Sequence, residues 1–494
     1  MFSPGWPEFY EKTKKGNLIP VYREILADLE TPVSAFLKID NGEYSFLLES
    51  VEGSEQIARY SFLGSNPLCA FICKGNKVTL VQQKGKSQVL PLEQDPLDTL
   101  KQFLGAYKAV LDESLPPFFG GAVGYMSYDA VKYFEKISSD PKKDALKLPH
   151  CVFLIADTLL VFDHFKHTIT VISNALLSEH DDPVAVYEKT CNKIDALVQR
   201  LKQPLKIEKP EETALPPVPL NSNFSREDFF AAVGKAKEYI RAGDVVQVVL
   251  SQRLKGKIHT DPFTIYRVLR TINPSPYMFY FKAGDLHLVG ASPEMLVRVQ
   301  GDEVETRPIA GTRSRGKDAI EDELLANELL TDSKERAEHI MLVDLGRNDL
   351  GRVCVYGSVE VKEFMHVEKY SHVMHLASQV RGRLHHGFDR FDCLRACFPA
   401  GTVSGAPKIR AMEIIEEMEP NDRGPYAGAV GYFSFDGNMD TCITIRTIMI
   451  KKDIVYIQAG AGIVVDSEPE KEYEEIMNKA KALVKAVSLA EEKL

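Results

Sequence analysis

The spacing of apolar and polar residues predicts a chain built from many short strands and several helices. Residues 1–200 contain short apolar runs broken by turn residues, among them "SAFLKI", "YSFLLES" and "CVFLIADTLLVFD". Such runs are typical of strands in antiparallel sheets. Later in the chain, "VVQVVLSQR" is predicted to form another strand.

Helical periodicity is clearest after residue 224. Ser225, with Asp228 three residues on, resembles a capping box at a helix start, and Gly243 is expected to end this helix. A second helix-like segment runs from Glu321 to about Leu345. The last helix begins near residues 467–469, and its apolar stripe is formed by Tyr473, Ile476, Ala480 and Leu483.

A stretch rich in proline and charge, "LKQPLKIEKPEETALPPVPLNSN", interrupts this pattern. It predicts a linker at residues 201–224 between an N-terminal region (1–200) and a C-terminal region (225–494). Together the elements predict an α+β fold. Large antiparallel β-sheets would form a sandwich-like core, with helices packed outside it.

Composition narrows the possible functions. The 494 residues are 44% hydrophobic and 26% charged, with a net charge of −10, as in ordinary soluble proteins. The acidic balance argues against a nucleic-acid binder, although one cleft can still be positive and take an anion. We find no apolar run of signal-peptide or membrane-spanning length, and the eight cysteines are scattered. We therefore expect a cytoplasmic protein with reduced thiols.

The segment 307–316, "RPIAGTRSRG", has the composition of an anion-binding loop. Two glycines and three arginines fall within ten residues. Ala310 stands where a loop built for anion chemistry could carry a lysine.

Two pairs of glutamates could bind a metal ion. Glu335 and Glu338 are three residues apart on a predicted helix, and Glu472 and Glu475 repeat that spacing on the last helix. Residues three apart share a helix face, so four carboxylates brought together would suit a hard cation such as Mg²⁺. Solvated helix faces would explain the same spacing.

Two further segments could contact an anion. In "QAGAGIVVDSEPEKE", Gly460 and Gly462 would let backbone amides approach a ligand, although a tight turn at a strand end would also need glycine. Arg446 lies within the apolar strand-like run "DTCITIRTIMI" and requires a carboxylate partner. That partner could belong to a substrate or to the protein itself.

Histidine and glutamine candidates complete the set. His372 and His375 lie in "SHVMHLASQV", where a core or surface role is the alternative to catalysis. Gln247 interrupts the valines of "VVQVVL", and as a buried amide it needs hydrogen-bond partners whether or not it touches a ligand.

In combination, these segments resemble the chorismate-utilising enzymes, and among them those that form anthranilate. The resemblance covers nearly the whole chain. It is densest in "PIAGTRSRG", "DSKERAEHIMLVDLGRNDLGRV", "HVMHL", "FPAGTVSGAPKIRAMEIIEEMEP", "YAGAVGYFSFDGNMDTCITIRT" and "QAGAGIVVDSEPEKEYEEI". It implies that ammonia adds to the ring of chorismate, the ring hydroxyl leaves, and pyruvate is then eliminated. This reaction is the first committed step of tryptophan biosynthesis.

The resemblance also implies roles for individual residues. Glu338 and Glu475 would hold Mg²⁺, with Glu472 nearby. Glu294 would protonate the departing hydroxyl, His375 would act in the elimination of pyruvate, and Glu335 and Lys408 match functional positions without a single assigned role. The residues expected to bind chorismate are Gly311, Thr312, Tyr426, Arg446, Gly460, Ala461 and Gly462.

Two positions discriminate among members of this family. Relatives that add water carry a lysine where this chain has Gln247, and a glutamine cannot take up a proton at neutral pH. Relatives that make aminodeoxychorismate carry a lysine nucleophile where this chain has Ala310. With neither lysine, direct attack by ammonia is the expected chemistry. Isochorismate or salicylate synthesis, and a non-catalytic tryptophan sensor, are the alternative functions.

The N-terminal region resembles the tryptophan-binding part of such enzymes. Ser50, in "LLES", and Pro276, Tyr277 and Met278, in "NPSPYM", would line a feedback site for tryptophan. Residues 1–200 would then be regulatory and residues 225–494 would bind chorismate. Since no segment of the chain resembles a glutamine amidotransferase, the expected ammonia source is a separate glutaminase subunit in a hetero-oligomer.

Overall fold

The computed structural model describes residues 1–51, 59–82, 85–137, 146–205, 218–370 and 373–493. The helices are α1 (Trp6–Thr13), α2 (Pro32–Ile39), α3 (Pro96–Gly105), α4 (Pro183–Leu201), α5 (Arg226–Ala242), α6 (Pro262–Ile272), α7 (Ala319–Thr331), α8 (Ser333–Gly351), α9 (Arg390–Cys397), α10 (Lys408–Met418) and α11 (Pro469–Lys493). Strands before the predicted linker are β1 (Leu18–Leu26), β2 (Tyr44–Glu49), β3 (Tyr60–Ser65), β4 (Cys69–Lys74), β5 (Lys77–Gln82), β6 (Ser87–Leu90), β7 (Gly121–Met126), β8 (Cys151–Ala156), β9 (Thr158–Asp163) and β10 (Thr168–Leu176).

The later strands are β11 (Asn221–Ser222), β12 (Gln247–Lys257), β13 (Tyr277–Ala283), β14 (Leu286–Ser292), β15 (Met295–Gln300), β16 (Glu303–Thr306), β17 (Ile309–Ser314), β18 (Glu360–Lys369), β19 (Val373–Arg383), β20 (Gly405–Ala406), β21 (Ala429–Ser434), β22 (Met439–Ile443), β23 (Thr447–Lys451) and β24 (Ile454–Ile463). All pairings are antiparallel within two large sheets. Sheet A has the order β1-β10-β9-β3-β2-β13-β14-β23-β24-β12-β11, with β20 beside β12. Sheet B has the order β17-β19-β16-β15-β22-β21-β7-β8-β4-β5-β6, with β18 beside β19.

Both sheets contain strands from both parts of the chain. In sheet A the two parts meet where β2 pairs with β13, and in sheet B they meet where β7 pairs with β21. Of the predicted linker, residues 206–217 lie outside the described residues. The functional division at residues 201–224 stays a prediction, but structurally the two regions are joined by continuous sheets.

The core lies between the facing sheets. Phe62 of sheet A meets Tyr432 of sheet B edge-on at 5.7 Å, and Phe281 meets Tyr125 at 6.0 Å between ring centres. Outside the core, α11 packs on β24 and α6, and α9 packs on β15. The predicted α+β sandwich is thereby confirmed.

Several local predictions can be checked directly. Ser225 caps α5 by accepting the amide of Asp228 at 3.0 Å, and Gly243 ends the helix with φ of 85°, as expected. The strand expected at "SAFLKI" is wrong. Thr31 and Ser34 form a capping box and a proline occupies the first turn, so local capping gives helix α2.

The single helix expected over residues 321–345 is also wrong. It is two helices, α7 and α8, which meet at Asp332. The Asp332 carboxylate accepts the amides of Lys334 at 2.9 Å and Glu335 at 3.1 Å, so this residue starts a new helix. As a result, α8 has its own N-terminal turn, and the first glutamate pair projects from that turn and the next.

The cysteines and the helices of the described residues bear on two expectations, reduced thiols and the lack of a membrane-spanning segment. All eight cysteines are buried and unbonded. Among the described residues, no helix has the length and apolar character required to cross a bilayer.

Candidate active site

Two crossings between the sheets bring candidate residues together. The chain passes from β14 to β15 through Glu294, and from β22 to β23 through Arg446. Backbone hydrogen bonds tie these crossings: Ala291 N–H donates to the Arg446 carbonyl, and Ile443 N–H donates to the Glu294 carbonyl, each at 3.1 Å. The sheets therefore hold a carboxyl and a guanidinium in one region.

Glu294 is a buried carboxyl with few polar partners. The Thr402 hydroxyl donates to its Oε1 at 2.6 Å, and the Ile309 backbone amide also contacts it. Burial outweighs these hydrogen bonds and raises the pKa of Glu294 to about 8. At neutral pH this side chain holds a proton, as a general acid must.

A β-bulge places a loop carbonyl against His375. The pairing of β17 with β19 shifts register between Ala310 and Arg313, so Gly311 and Thr312 bulge out of the ladder. Gly311 has φ of +65°, which an L side chain would adopt only with strain. Its carbonyl lies 2.8 Å from Nδ1 of His375, and the Thr312 hydroxyl lies 3.1 Å from the same nitrogen.

These contacts define the state of His375. A carbonyl can only accept, so Nδ1 carries the proton and donates to Gly311, which leaves Nε2 with its lone pair. Burial lowers the pKa of His375, and the charge of Arg446 acts in the same direction while the Gly311 carbonyl opposes it. A neutral imidazole with a free Nε2 can accept a proton.

Glu338 of α8 and Glu475 of α11 lie close enough for their charges to interact. Burial, followed by the charge of Glu335, raises the pKa of Glu338, and Glu475 adds to this effect. The side chain of Gln247 hydrogen-bonds to Glu338. Glu472 is buried on α11, and its pKa is raised by burial and by Glu475.

Two cations lie beside these acids. Lys479 pairs with Glu475 at 2.6 Å and donates to the Gly460 carbonyl at 3.1 Å. Arg313 contacts Glu335 at 3.2 Å. Glu338 has the side-chain amide of Gln247, rather than a cation, as its hydrogen-bonding partner.

The carboxylates of Glu338 and Glu475 fit a Mg²⁺ ion that is also bound by water and substrate better than they fit a metal ion bound by protein side chains alone. In the described part of the chain, no three His, Cys, Asp or Glu side chains converge as a complete metal site. Mg²⁺ commonly binds one or two carboxylates and completes its octahedron with water and substrate oxygens. Glu338 and Glu475 are the two carboxylates that would fit this role; burial raises the pKa of Glu338, and the like charge of Glu475 adds to this effect.

Arg446 is a largely buried cation with no hydrogen-bond or ion-pair partner among the described residues. Its guanidinium makes no hydrogen bond or ion pair with any described residue, and burial lowers its pKa. Tyr426 and Glu475 are the neighbours whose charges oppose that effect. An unpaired buried guanidinium is costly, so this geometry suits a bound carboxylate.

The glycine segment of β24 lies beside Tyr426 and Gln247. A β-carbon at Gly460 would stand 2.8 Å from the Tyr426 hydroxyl, so only glycine fits. The Gln247 amide lies over Gly462, 2.5 Å from where a β-carbon would stand. Ala461, between these glycines, is fully buried. The absence of β-carbons at Gly460 and Gly462 therefore lets the Tyr426 hydroxyl and the Gln247 amide lie close to this backbone.

Lys408 is engaged in an ion pair. Its ammonium lies 2.8 Å from Asp349 and 3.2 Å from the Cys397 carbonyl. A cavity of about 30 Å³ is lined both by Asp349, the partner of Lys408, and by Glu294 and Thr402 of the candidate active site. A catalytic role for Lys408 stays a prediction. Of the two histidine candidates, His372 lies outside the described residues.

The four residues predicted to bind tryptophan line one cavity of about 390 Å³ between the sheets. Small-molecule sites typically measure roughly 300–1,000 Å³. The cavity lies at the β2–β13 seam, and its walls include Ser50, Pro276, Tyr277 and Met278. The buried Ser50 hydroxyl has no hydrogen-bond partner.

Polar residues that line this cavity form hydrogen bonds on β15 and β22, two strands that adjoin the candidate active site. The Tyr277 hydroxyl donates to Asp440 at 3.1 Å, and Arg298 donates to Asp440 at 2.9 Å. Asp440 lies on β22 and Arg298 on β15, the strands that adjoin Arg446 and Glu294.

Sequence reasoning missed several residues of this region. Lys479, four residues after Glu475, is one of them. Thr402 and Asp349 lie in motifs that carry the family resemblance. The i,i+4 spacing of Glu475 and Lys479 was the available signal.

Facing sheets with an unpaired arginine, paired acids and a neutral imidazole define an enzyme site for a small anionic substrate. The pattern of the chorismate binding enzyme family matches residues 43–485, and the chain belongs to that family. It is 48% identical to anthranilate synthase component 1 of Acetivibrio thermocellus, over 100% of both chains. It is 48% identical to the protein of that name from Thermus thermophilus, over 96% of this chain and 98% of the relative.

Solved structures agree with the fold. The crystal structure of anthranilate synthase component I from Streptococcus pneumoniae has a TM-score of 0.77 at 40% identity, covering 93% of this chain and 99% of that one. The menaquinone-specific isochorismate synthase from Escherichia coli has a TM-score of 0.71 at 19% identity, covering 97% and 98%, and shares the fold alone.

Proposed function

We propose that this chain converts chorismate and ammonia to anthranilate and pyruvate, as the first committed step of tryptophan biosynthesis. The observation that carries the proposal is the unpartnered guanidinium of Arg446, buried beside Tyr426 and near Glu475. A dicarboxylate such as chorismate supplies the anion that this cation needs. The names of the relatives at 40–48% identity, anthranilate synthase component 1 or I, support the same reaction.

Substrate binding uses backbone and side chain together. Arg446 takes one carboxylate in a bidentate pair, and the backbone of Gly460 to Gly462 approaches the substrate from β24. Tyr426 contributes its hydroxyl next to Gly460. The bulge residues Gly311 and Thr312 close the opposite side beside His375.

Two residues move protons. Glu294 is protonated at neutral pH and donates its proton to the departing ring hydroxyl, which leaves as water. His375 presents a free Nε2 and accepts the ring proton as enolpyruvate is eliminated. Its donated hydrogen bond to Gly311 fixes the tautomer that this step requires.

Ammonia is the nucleophile because two positions lack an amine. Gln247 occupies the place of a water-activating lysine, and its amide can orient ammonia between Glu338 and Gly462. Ala310 cannot form a covalent adduct with the ring.

The need for Mg²⁺ follows from the glutamates of α8 and α11, whose negative charges would repel an anionic substrate. Glu338 and Glu475 would hold Mg²⁺, and Glu472 would lie nearby. Bound there, the ion would neutralise carboxylates that otherwise repel the substrate and would offset negative charge that develops on it.

The supply of ammonia and the regulation belong to the same proposal. A separate glutamine amidotransferase subunit delivers ammonia, in keeping with the relatives' designation as component 1. Tryptophan occupies the 390 Å³ cavity and inhibits turnover by favouring one arrangement of the two chain regions.

The test is an assay with chorismate, Mg²⁺ and an ammonium salt, followed by anthranilate fluorescence and pyruvate release. We expect both products in equal amounts without the partner subunit. Isochorismate or salicylate formed without ammonium, or tryptophan binding without turnover, would contradict the proposal. The double variant Gln247→Lys, Ala310→Lys should form less anthranilate, and unchanged turnover would refute the assigned place of the nucleophile.

A further inference from the structure

Arg313, in the anion-loop segment, donates hydrogen bonds to four different acceptors. Its Nε donates to Glu328 at 3.0 Å, and its Nη2 donates to Asp332 at 2.9 Å. Its Nη1 donates to Glu335 at 3.2 Å and to the Thr312 carbonyl at 3.1 Å. One guanidinium thus spans three carboxylates and a bulge carbonyl.

Those contacts join two parts of the candidate site. Thr312 and the preceding Gly311 belong to the bulge that holds Nδ1 of His375. Asp332 caps α8, and Glu335 lies in the first turn of that helix. Only a planar fork with several donors can bridge all of these acceptors at once.

Arg313 also distinguishes Glu335 from Glu338, the other glutamate of the pair on α8. It pairs with Glu335, and Lys479 pairs with Glu475 on the other helix. Glu338, one turn after Glu335, accepts a hydrogen bond from the neutral Gln247 amide and is also acted on by the charge of Lys479. Glu335 is therefore held in an ion pair by Arg313, whereas Glu338 makes no ion pair with a described residue.

We propose that Arg313 is a positioning residue that holds Glu335 away from the metal and locks the first turn of α8 to the His375 bulge. This inference rests on the proposed function. It gives the arginine of "GTRSR" a role distinct from substrate binding, because its donors are already used by protein acceptors.

The test compares Arg313→Gln and Arg313→Lys with the control Glu328→Gln. The control removes one partner that is 60% exposed and leaves the other contacts intact. Measurements are Mn²⁺ binding by electron paramagnetic resonance without chorismate, and kcat and KM with ammonium. For Arg313→Gln we expect Mn²⁺ affinity to rise about threefold to tenfold, because Glu335 loses its compensating charge. We expect kcat/KM to fall by about ten- to hundredfold as the helix turn shifts.

Arg313→Lys separates charge from geometry. It restores a positive charge, so Mn²⁺ affinity should stay near that of wild type. It cannot bridge three carboxylates, so kcat/KM should remain about tenfold low. If Arg313→Gln does not fold, the turnover of Arg313→Lys still tests whether Arg313 is a positioning residue.

The results that would contradict the role of Arg313 differ from those that would contradict the proposed function. Full turnover in Arg313→Lys, or Arg313→Gln values equal to those of Glu328→Gln for both Mn²⁺ affinity and kcat/KM, would overturn the positioning role. Wild-type protein that binds Mn²⁺ but forms no anthranilate from chorismate and ammonium would instead refute the proposed function.

Discussion

At the scale of single residues, environment separates groups of the same chemical type. Glu294 has a hydroxyl and an amide as partners and is buried, so the pKa of its carboxyl rises to about 8. Glu419 is equally buried but pairs with Arg423 at 2.6 Å. The first can deliver a proton, whereas the second is committed to structure.

Glu294→Gln should lower kcat by about 10²- to 10⁴-fold, the usual contribution of a general acid. In wild type, the acid form is lost as pH rises through about 8, so kcat should fall above that pH. Initial rates with ammonia corrected for its own protonation would show this limb. A pH-independent rate to pH 9 would exclude Glu294 as the acid.

The same shift has a stability consequence with a defined sign. Glu294 binds its proton more tightly when folded, so its contribution to the free energy of unfolding declines as pH rises from its ordinary pKa of 4.5 to about 8. Denaturant unfolding at pH 6 and pH 9 should show a smaller decline in Glu294→Gln than in wild type.

Arg446→Gln tests the unpaired guanidinium. Losing a charged bidentate contact of about 1.5–3 kcal/mol should raise KM for chorismate roughly ten- to hundredfold. Because Arg446 has no hydrogen-bond or ion-pair partner in the described part of the chain, thermal stability should not fall. The matched control is Arg423→Gln, which leaves the buried Glu419 unpaired and should destabilise by about 3–5 kcal/mol. A loss of stability in Arg446→Gln would indicate an internal partner.

The chemistry of a residue could be predicted where its sequence context makes its burial energetically costly. An arginine within an apolar strand run requires a partner, and the structure leaves Arg446 without one. Lys408 shows the limit, because its pairing with Asp349 joins residues distant in sequence. No local pattern specifies such a contact.

At the scale of elements, the break between α7 and α8 matters more than the lengths of the helices. Helical periodicity continues through Asp332, so the sequence predicts one helix, but the Asp332 cap ends one and starts another. The new helix start lets Glu335 face the bulge of β17, where its carboxylate lies 3.1 Å from a β-carbon position at Gly311. The bulge, a feature of strand pairing, also escapes sequence pattern.

Gly311→Ala should disable this arrangement. Its β-carbon would lie 2.9 Å from Leu329 and 3.1 Å from Glu335, and φ of +65° strains any L residue. Gly301→Ala is the matched control, with φ of +59° and nothing within 4 Å of the added carbon. Both variants should lose about 1 kcal/mol of stability from backbone strain. Only Gly311→Ala should also lose about tenfold or more in kcat/KM, since it shifts the carbonyl that orients His375. Equal turnover in the two variants would contradict this account.

At the scale of the whole molecule, both sheets are shared by the two chain regions. The sequence predicts the sandwich and a proline-rich linker, but not that β2 would pair with β13 and β7 with β21. These pairings join segments more than 200 residues apart, and short-range periodicity does not encode them. The β2–β13 pairing places the large cavity where the regions meet, between strands that lead to Glu294 and Arg446.

Ser50→Ala tests whether this cavity binds tryptophan. The Ser50 hydroxyl is buried at the cavity wall without a partner, so a ligand would supply one, and its removal should weaken tryptophan binding about five- to tenfold. Ser45→Ala is the matched control, because Ser45 lies on β2, which ends one residue before Ser50, and has a buried, unpartnered hydroxyl away from the cavity. Titration calorimetry and inhibition curves should move together for Ser50→Ala and stay unchanged for Ser45→Ala, while uninhibited turnover stays equal in both. Inhibition that persists at wild-type concentrations of tryptophan in Ser50→Ala would mean that the regulator binds elsewhere.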